Sequence, residues 1–182
     1  MDLSPLVKAM LEFDASVLPK SRVFVSYYHQ NDQAWYNLFS ERFSEGYDIF
    51  TDTSLEHAAD STSTEYLTRK IREDNITGSS VTIVLCGPET WKRRWVDWEV
   101  DLTLSKQHAL LAVVLPTQPW NAENRYFWPE RLFDNVKSDY AHWIYWTDDP
   151  ATMRTAIAAA KQKACFTSRI QNSRPRMERS RP

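Results

Sequence analysis

Glycine is scarce in this sequence, with three in 182 residues. Neither GxGxxG nor a GxxxxGK motif followed by Ser or Thr occurs, so the loops with which those motifs cradle phosphates are not expected. The GxSxG turn that exposes the nucleophile of α/β-hydrolases is also missing. A phospho-accepting receiver domain would need an aspartate at the end of its third strand, where this chain has Cys86 and Gly87. These classes of protein are therefore excluded.

Cysteine and long apolar runs are scarce as well. Cys86 and Cys165 are the two cysteines, and neither belongs to a CxxC pair or to a Cys/His cluster with ligand spacing. No apolar run approaches the ~20 residues of a membrane-spanning helix, and the N-terminus lacks the basic start and apolar core of a signal peptide. We expect a cytoplasmic protein with no metal site and no membrane contact, in which Cys86 is a small buried apolar side chain.

An excess of charge of one sign is also missing, because 22 basic and 24 acidic residues give a net charge of −2. Nothing in this balance indicates a nucleic-acid partner. The charge is unevenly placed, since residues 168–182 hold five arginines and one glutamate, a local +4 that leaves −6 for residues 1–167. We expect this segment to be a disordered basic tail.

The hydrophobic pattern predicts strands and helices in regular alternation. Short apolar runs bounded by turn residues predict five strands, at Arg22–Tyr27, Tyr47–Phe50, Val81–Cys86, Ala109–Leu115 and Trp143–Trp146. Helical spacing predicts helices from Asn31 or Asp32 to about Phe43, at Ser61–Asn75, at Trp95–Lys106 and from Pro150 to about Ala164. A long connection that contains prolines precedes the fifth strand.

Strands joined by single helices are typical of a parallel sheet with right-handed crossovers. The sequence therefore predicts a flavodoxin-like three-layer α/β/α fold around a central five-stranded parallel sheet. The length suits one domain. We place it at residues 21–167, between an N-terminal helical extension at 1–20 and the basic tail at 168–182.

Trp95 and Glu99 are the leading candidates for a functional site. They stand one turn apart on the same face of a predicted helix, just beyond the carboxyl end of a buried strand. An aromatic ring beside a carboxylate suits a positively charged aromatic ligand. The alternative is structural: Glu99 would complement the helix dipole or pair with Arg93 or Arg94, and Trp95 would belong to the core.

Ser26, Tyr27 and His29 follow the first predicted strand and could line the same crevice. Alternatively, Ser26 caps the next segment and His29 is a solvated surface imidazole. Asp52 follows the second strand, where we expect a turn-forming role.

The sequence resembles TIR domains. Residues 22–27 resemble their first strand, and Trp95-Val96-Asp97-Trp98-Glu99 resembles the Trp-Val-x-x-Glu helix start that carries the catalytic glutamate of NAD-consuming TIR enzymes. Residues 71–93 and 129–136 are similar to the TIR-like family found as ThsB in bacterial Thoeris antiphage systems. The resemblance covers roughly residues 22–146.

The resemblance implies an enzyme of antiphage defence that cleaves the nicotinamide–ribose bond of NAD, with NAD as substrate and no further cofactor. Its product would be a cyclic ADP-ribose isomer that activates a separate effector. The resemblance further implies a phage-derived trigger, assembly into a homo-oligomer, Glu99 as the catalytic residue, and Trp95, Ser26, Tyr27 and His29 around the substrate. The alternative function is a non-catalytic TIR-like adaptor or phage-sensing module.

The chemistry can also be argued from the residues. Nicotinamide is already a cationic leaving group, so no general acid has to protonate it, and the barrier lies in the oxocarbenium-like charge that grows on the ribose. One carboxylate, Glu99, can stabilise that charge or bind a ribose hydroxyl, while Trp95 stacks on the pyridinium ring. A linear or a cyclic product depends on which nucleophile reaches the anomeric carbon first, and the sequence leaves both open.

Overall fold

A computed structural model of the chain describes residues 20–50, 70, 72–119 and 126–182. Its sheet has five strands, β1 (Ser21–Ser26), β2 (Tyr47–Phe50), β3 (Val81–Cys86), β4 (Ala109–Val114) and β5 (His142–Tyr145). They lie in the order β2-β1-β3-β4-β5, and every pair is parallel. The predicted five-stranded parallel sheet is confirmed, with strand ends displaced by at most one residue.

The helices with complete bounds are α1 (His29–Phe43), α2 (Arg94–Ser105), α3 (Glu130–Lys137) and α4 (Pro150–Ala164). Residues 72–77 are also helical, which agrees with the end of the helix predicted at 61–75. Two short 3-10 turns stand at Thr90–Lys92 and Thr167–Arg169. Within the part of the chain that the structure describes, no helix combines the length and apolar character needed to cross a bilayer.

Helix α3 is missing from the sequence prediction, which places a long connection there. The buried residues of α3 are Arg131, Leu132 and Asn135, so two of the three side chains that face inward are polar. Such a face gives no apolar period of 3.6 residues. Pro129 precedes the helix, and proline favours a helix start as well as a loop.

Apolar layers cover both faces of the sheet. On one side α1 and α4 supply Phe39, Phe43, Met153 and Ile157. On the other side α2 and α3 supply Val96, Val100, Leu104 and Leu132. Every residue of β3 and β4 is buried, as the continuous apolar runs of these two strands require. The predicted three-layer arrangement therefore describes the observed fold.

The C-terminal segment differs from the prediction of a disordered tail. Residues 170–181 run along α2 and α3, and their arginines pair with acidic side chains of those helices. The pairs are Arg174–Asp134, Arg174–Glu130, Arg176–Asp101 and Arg181–Glu130. The acidic partners are far away in sequence. The local charge of +4 is therefore balanced by carboxylates of α2 and α3 only once the protein has folded.

Three predictions lie outside the described residues. These are the helical extension at 1–20, of which Lys20 alone is described, the turn role of Asp52, and the first part of the helix at 61–75.

Candidate functional site

The strand order places a crevice between the carboxyl ends of β1 and β3. From β1 the chain continues outward to β2, whereas from β3 it continues in the opposite direction to β4. Ligands of open parallel sheets bind where the strand order reverses in this way. The last residue of β1 and the segments that follow β1 and β3 carry all five of the predicted site residues.

Glu99 lies on the second turn of α2 and is buried, with 5% of its surface exposed. Its Oε1 is 3.3 Å from Nε of Arg72, which is itself 2% exposed. The structural alternative in the sequence analysis named Arg93 or Arg94 as the partner, but Arg93 pairs with Glu89, with Nη2 2.7 Å from Oε2. Arg72 belongs to another helical segment, so sequence spacing gave no signal for this pair.

Trp95 stands one turn before Glu99 and is half-buried. The guanidinium carbon of Arg72 is 4.4 Å from the centroid of its ring, and that of Arg94 is 4.5 Å away. Trp95 also packs edge-on against Trp98, with 6.0 Å between centroids. Trp95 and Glu99 therefore both contact the same cation, the guanidinium of Arg72.

Tyr27 and His29 form a second group, which is held by α1. The ring of Tyr27 stacks on Tyr36 with 4.7 Å between centroids, and its hydroxyl donates to Oε1 of Gln33 at 2.9 Å. Nδ1 of His29, the first residue of α1, is 3.0 Å from the same Gln33 oxygen. His29 is therefore partly buried and hydrogen-bonded, unlike the solvated imidazole of the alternative prediction.

Ser26 ends β1 next to β3 and is 1% exposed. Among the described residues its Oγ has no hydrogen-bond partner. The residue at the N-cap of α1 is Tyr28, so Ser26 does not cap that helix. A buried hydroxyl without a partner is uncommon in folded proteins and is a reason to keep Ser26 among the candidates.

Asp32 is a buried carboxylate at the same crevice, predicted from the sequence only as a possible start of the first helix. It is fully buried on α1, with Oδ2 3.2 Å from Oγ1 of Thr90. That hydroxyl accepts a hydrogen bond from the Gly87 backbone N–H at 2.9 Å. Asp32 therefore ties α1 to the turn that leads from β3 towards α2. The sequence feature that could have indicated this contact is Gly87, a glycine directly after a buried strand.

Alanine at position 87 should lower the free energy of unfolding by about 1–3 kcal/mol, the usual cost of overpacking. A Cβ on Gly87 would lie 2.2 Å from Oδ1 and 2.3 Å from Oδ2 of Asp32. Because Asp32 is buried, its carboxylate cannot swing away into solvent. Gly46→Ala is the matched control, since its Cβ would come no closer than 3.8 Å to the Phe43 carbonyl oxygen. Equal urea midpoints for the two variants would contradict the prediction.

Asp32 should also make the protein less stable as the pH rises from about 4 to about 6. Burial raises the pKa of Asp32 from 3.8 to about 6, against the hydrogen bond from Thr90 and with a further rise from the charge of Glu89. In this window the native state keeps a proton that the unfolded state has lost, so stability falls with pH, by about 3 kcal/mol in total. Asp32→Asn should remove this fall, as measured by urea unfolding at about pH 4 and about pH 7. An unchanged pH dependence in the variant would refute the assignment.

The opposite side of α2 is fixed by Arg131 of α3, which is fully buried. Its Nε and Nη2 lie 3.0 and 3.3 Å from the two carboxylate oxygens of Asp97. Its Nη1 is 2.6 Å from Oδ1 of Asn172, and its Nη2 also donates to the Pro175 carbonyl at 3.0 Å. Arg131 therefore joins α2, α3 and the C-terminal segment, and it holds the helix that carries Trp95 and Glu99.

A second concave surface lies beside β5 and α3. It encloses a cavity of about 640 Å³ with largely aromatic walls. Four of the five exposed large apolar side chains in the described part of the chain line it, namely Phe127, Phe133, Trp143 and Tyr145. Clustered exposed aromatics are typical of interaction surfaces. None of these four residues was predicted to belong to a site.

Across residues 20–50, 70, 72–119 and 126–182, no group of three or more His, Cys, Asp or Glu side chains is arranged to hold a metal ion.

Residues 24–119 match the sequence model of the family described as Thoeris protein ThsB, TIR-like domain. The chain belongs to this family. The stated resemblance to ThsB is thereby confirmed, and the matched range contains Ser26, Tyr27, His29, Trp95 and Glu99. A comparison with curated proteins gave no significant match.

Solved structures with a similar fold include the 2-deoxyribosyltransferase of the psychrotolerant bacterium Bacillus psychrosaccharolyticus. It is 12% identical, with a TM-score of 0.50 over 73% of this ThsB-family chain and 90% of the transferase. The TIR domains of the activated Roq1 resistosome, which recognises the pathogen effector XopQ, are 16% identical with a TM-score of 0.41, over 81% and 85% of the two chains. At 12% identity the likeness to the transferase concerns the fold alone.

Proposed function

We propose that this Thoeris TIR-like protein cleaves the nicotinamide–ribose bond of NAD and forms a cyclic ADP-ribose-type signal that activates a separate effector. The observation that carries the proposal is the pair of Trp95 and Glu99, which holds a flat, delocalised cation in the form of the Arg72 guanidinium. The pyridinium ring of NAD is also a flat, delocalised cation. The proposal places the protein in the cytoplasm, where a phage-derived trigger and assembly of several copies switch it on.

Trp95 and Glu99 have different roles in this reaction. The bond between the ribose C1′ and the pyridinium nitrogen breaks with both electrons going to nitrogen, so nicotinamide leaves as a neutral molecule. Glu99 then faces positive charge on the ribose, and a preorganised buried group of this kind is worth roughly 3–4 kcal/mol in other enzymes. Stacking on Trp95 contributes about 0.5–2 kcal/mol and acts mainly on binding. Glu99 therefore carries more of the rate.

Attack on C1′ completes the reaction. Water gives linear ADP-ribose and releases a proton, whereas a nucleophilic atom of the folded-back adenosine end gives the cyclic product. The second path requires that water be kept away from the reacting carbon. Ser26 at the end of β1, and Tyr27 and His29 just after it, are the proposed contacts for the rest of the substrate.

A non-catalytic adaptor or phage-sensing module is the second candidate function, and two observations favour it. The buried Arg72–Glu99 pair is what a purely structural carboxylate would also show. The aromatic cavity beside β5 has the Trp, Tyr and Arg composition of binding hot spots. In this function Glu99 would matter for folding only.

Mass spectrometry of NAD and its products in lysates of phage-infected cells tests the two functions. Cells expressing the protein should lose NAD and gain a cyclic ADP-ribose mass, and cells expressing Glu99→Gln should do neither. Linear ADP-ribose alone would mean that the enzyme admits water. If both proteins protect cells while NAD stays intact, the adaptor function replaces the enzyme.

A further inference from the structure

Arg72 lies where the proposed substrate has to bind. Its side chain reaches both Trp95, at 4.4 Å from the ring centroid, and Glu99, at 3.3 Å from the carboxylate. It is 2% exposed, so the guanidinium fills the space between the two groups instead of crossing their surface. Ile76 anchors the same helical segment, buried with Phe24, Trp98 and Leu102.

A guanidinium and a pyridinium ring compete for the same features of a site. Both are planar, carry one delocalised positive charge, and are attracted by an aromatic face and by a carboxylate. Two such cations cannot share one position, because they overlap sterically and repel each other in a buried setting of low dielectric. Binding of the substrate's pyridinium ring therefore requires that the Arg72 guanidinium leave Trp95.

We propose that Arg72 is an internal competitor that occupies the nicotinamide position and keeps the site closed until its side chain is withdrawn. This inference rests on the proposed function and names the regulation of the same site. While Arg72 is in place, its charge neutralises Glu99, and the carboxylate cannot stabilise charge that grows on a ribose. Withdrawal of one side chain thus opens the binding position and removes a positive charge from beside the catalytic carboxylate.

Arg94 distinguishes this role from a general effect of cations near Trp95. Its guanidinium carbon is also close to the ring, at 4.5 Å, but Arg94 is only half-buried and lies at the outer end of α2. A competitor that the substrate must displace has to be buried beside Glu99. Arg72 meets this condition and Arg94 does not. The matched variants are therefore Arg72→Gln and Arg94→Gln, which each remove one positive charge near Trp95, the first from a buried and the second from a half-buried position.

The test measures binding of 1-methylnicotinamide, a pyridinium cation without a ribose, by calorimetric titration of the purified full chain. Arg72→Gln should bind this probe at least about tenfold more tightly than the original protein, because it removes the buried guanidinium from Trp95 and its positive charge from beside Glu99. Arg94→Gln should stay within about twofold of the original protein. The double variant Arg72→Gln with Glu99→Gln should lose the gain. Arg72→Met, whose chain still packs on Trp95, gives the same comparison if the glutamine variant does not fold.

Equal or weaker binding by a folded Arg72 variant would overturn the proposal, since Arg72 would then support the site or have no part in it. A tenfold gain that persists in the double variant would also overturn it, because the gain would not depend on Glu99. The titration involves no bond cleavage. It can therefore fail while infected cells still consume NAD, and it can succeed when they do not, so the two proposals are tested separately.

Discussion

Glu99→Gln should lower the rate of NAD cleavage at least about 100-fold while the protein stays folded. The substitution removes one negative charge and keeps the size of the side chain, so it changes the electrostatics of the site and leaves the packing nearly unchanged. Loss of a single preorganised group that faces developing charge costs about 10²–10³-fold in other enzymes. The measurement is the initial rate of nicotinamide release by infected-cell lysates at matched protein levels, with a thermal melt of the purified variant to verify folding.

Glu73→Gln is the matched control for this loss. It is the same chemical change on the helical segment next to Arg72, but Glu73 is exposed. Its rate should stay within about twofold of the original protein. If Glu99→Gln also stays within that range, Glu99 is not catalytic. If Glu99→Gln melts far below the original protein, its loss of activity reports on folding, and Glu99→Asp then becomes the decisive variant.

Arg131→Met should lower the free energy of unfolding by about 3–5 kcal/mol, the usual effect of removing one partner from a buried ion pair. Arg131 is fully buried, and its loss leaves the carboxylate of Asp97 without its charged partner. It also removes the donors to Asn172 and Pro175 that hold the C-terminal segment. Urea unfolding followed by circular dichroism measures the change directly.

Arg174→Met is the control for Arg131→Met. Arg174 also pairs with two carboxylates, those of Glu130 and Asp134, but its side chain is 39% exposed. Exposed pairs of this kind contribute about 0–1 kcal/mol. Similar unfolding midpoints for the two methionine variants would show that burial does not decide the strength of these pairs and would contradict the prediction for Arg131.

The strands were predictable because each of them is an apolar run bounded by turn residues, and β3 and β4 are covered on both faces. Helix α3 was not predictable in the same way. Its inward face carries Arg131 and Asn135, and what makes that face suitable for burial is Asp97, on another helix. A polar side chain can be assigned to a core only when its partner is known, and periodicity carries no information about partners.

The residues of the candidate site also differ in whether their partners can be found from the sequence. Trp95 and Glu99 could be paired from sequence because they are one turn apart on one helix. Arg72 and Asp32 could not, since each reaches its contacts through the tertiary fold. The disordered tail predicted for residues 168–182 was not found for the same reason, because the acids that pair with those arginines are on α2 and α3.

The contacts between the C-terminal segment and α2 have a consequence for the order of synthesis. The backbone N–H of Arg94 donates to Oγ of Ser180, and that of Met177 donates to a carboxylate oxygen of Asp97. A ribosome that has just completed α4 has already made all five strands, Trp95, Glu99 and Arg131, but has not yet made Met177 and Ser180, which complete the hydrogen bonds of the first turn of α2. We therefore expect the nascent chain to build its sheet early and to complete the helix that bears Glu99 only as residues 177–180 emerge.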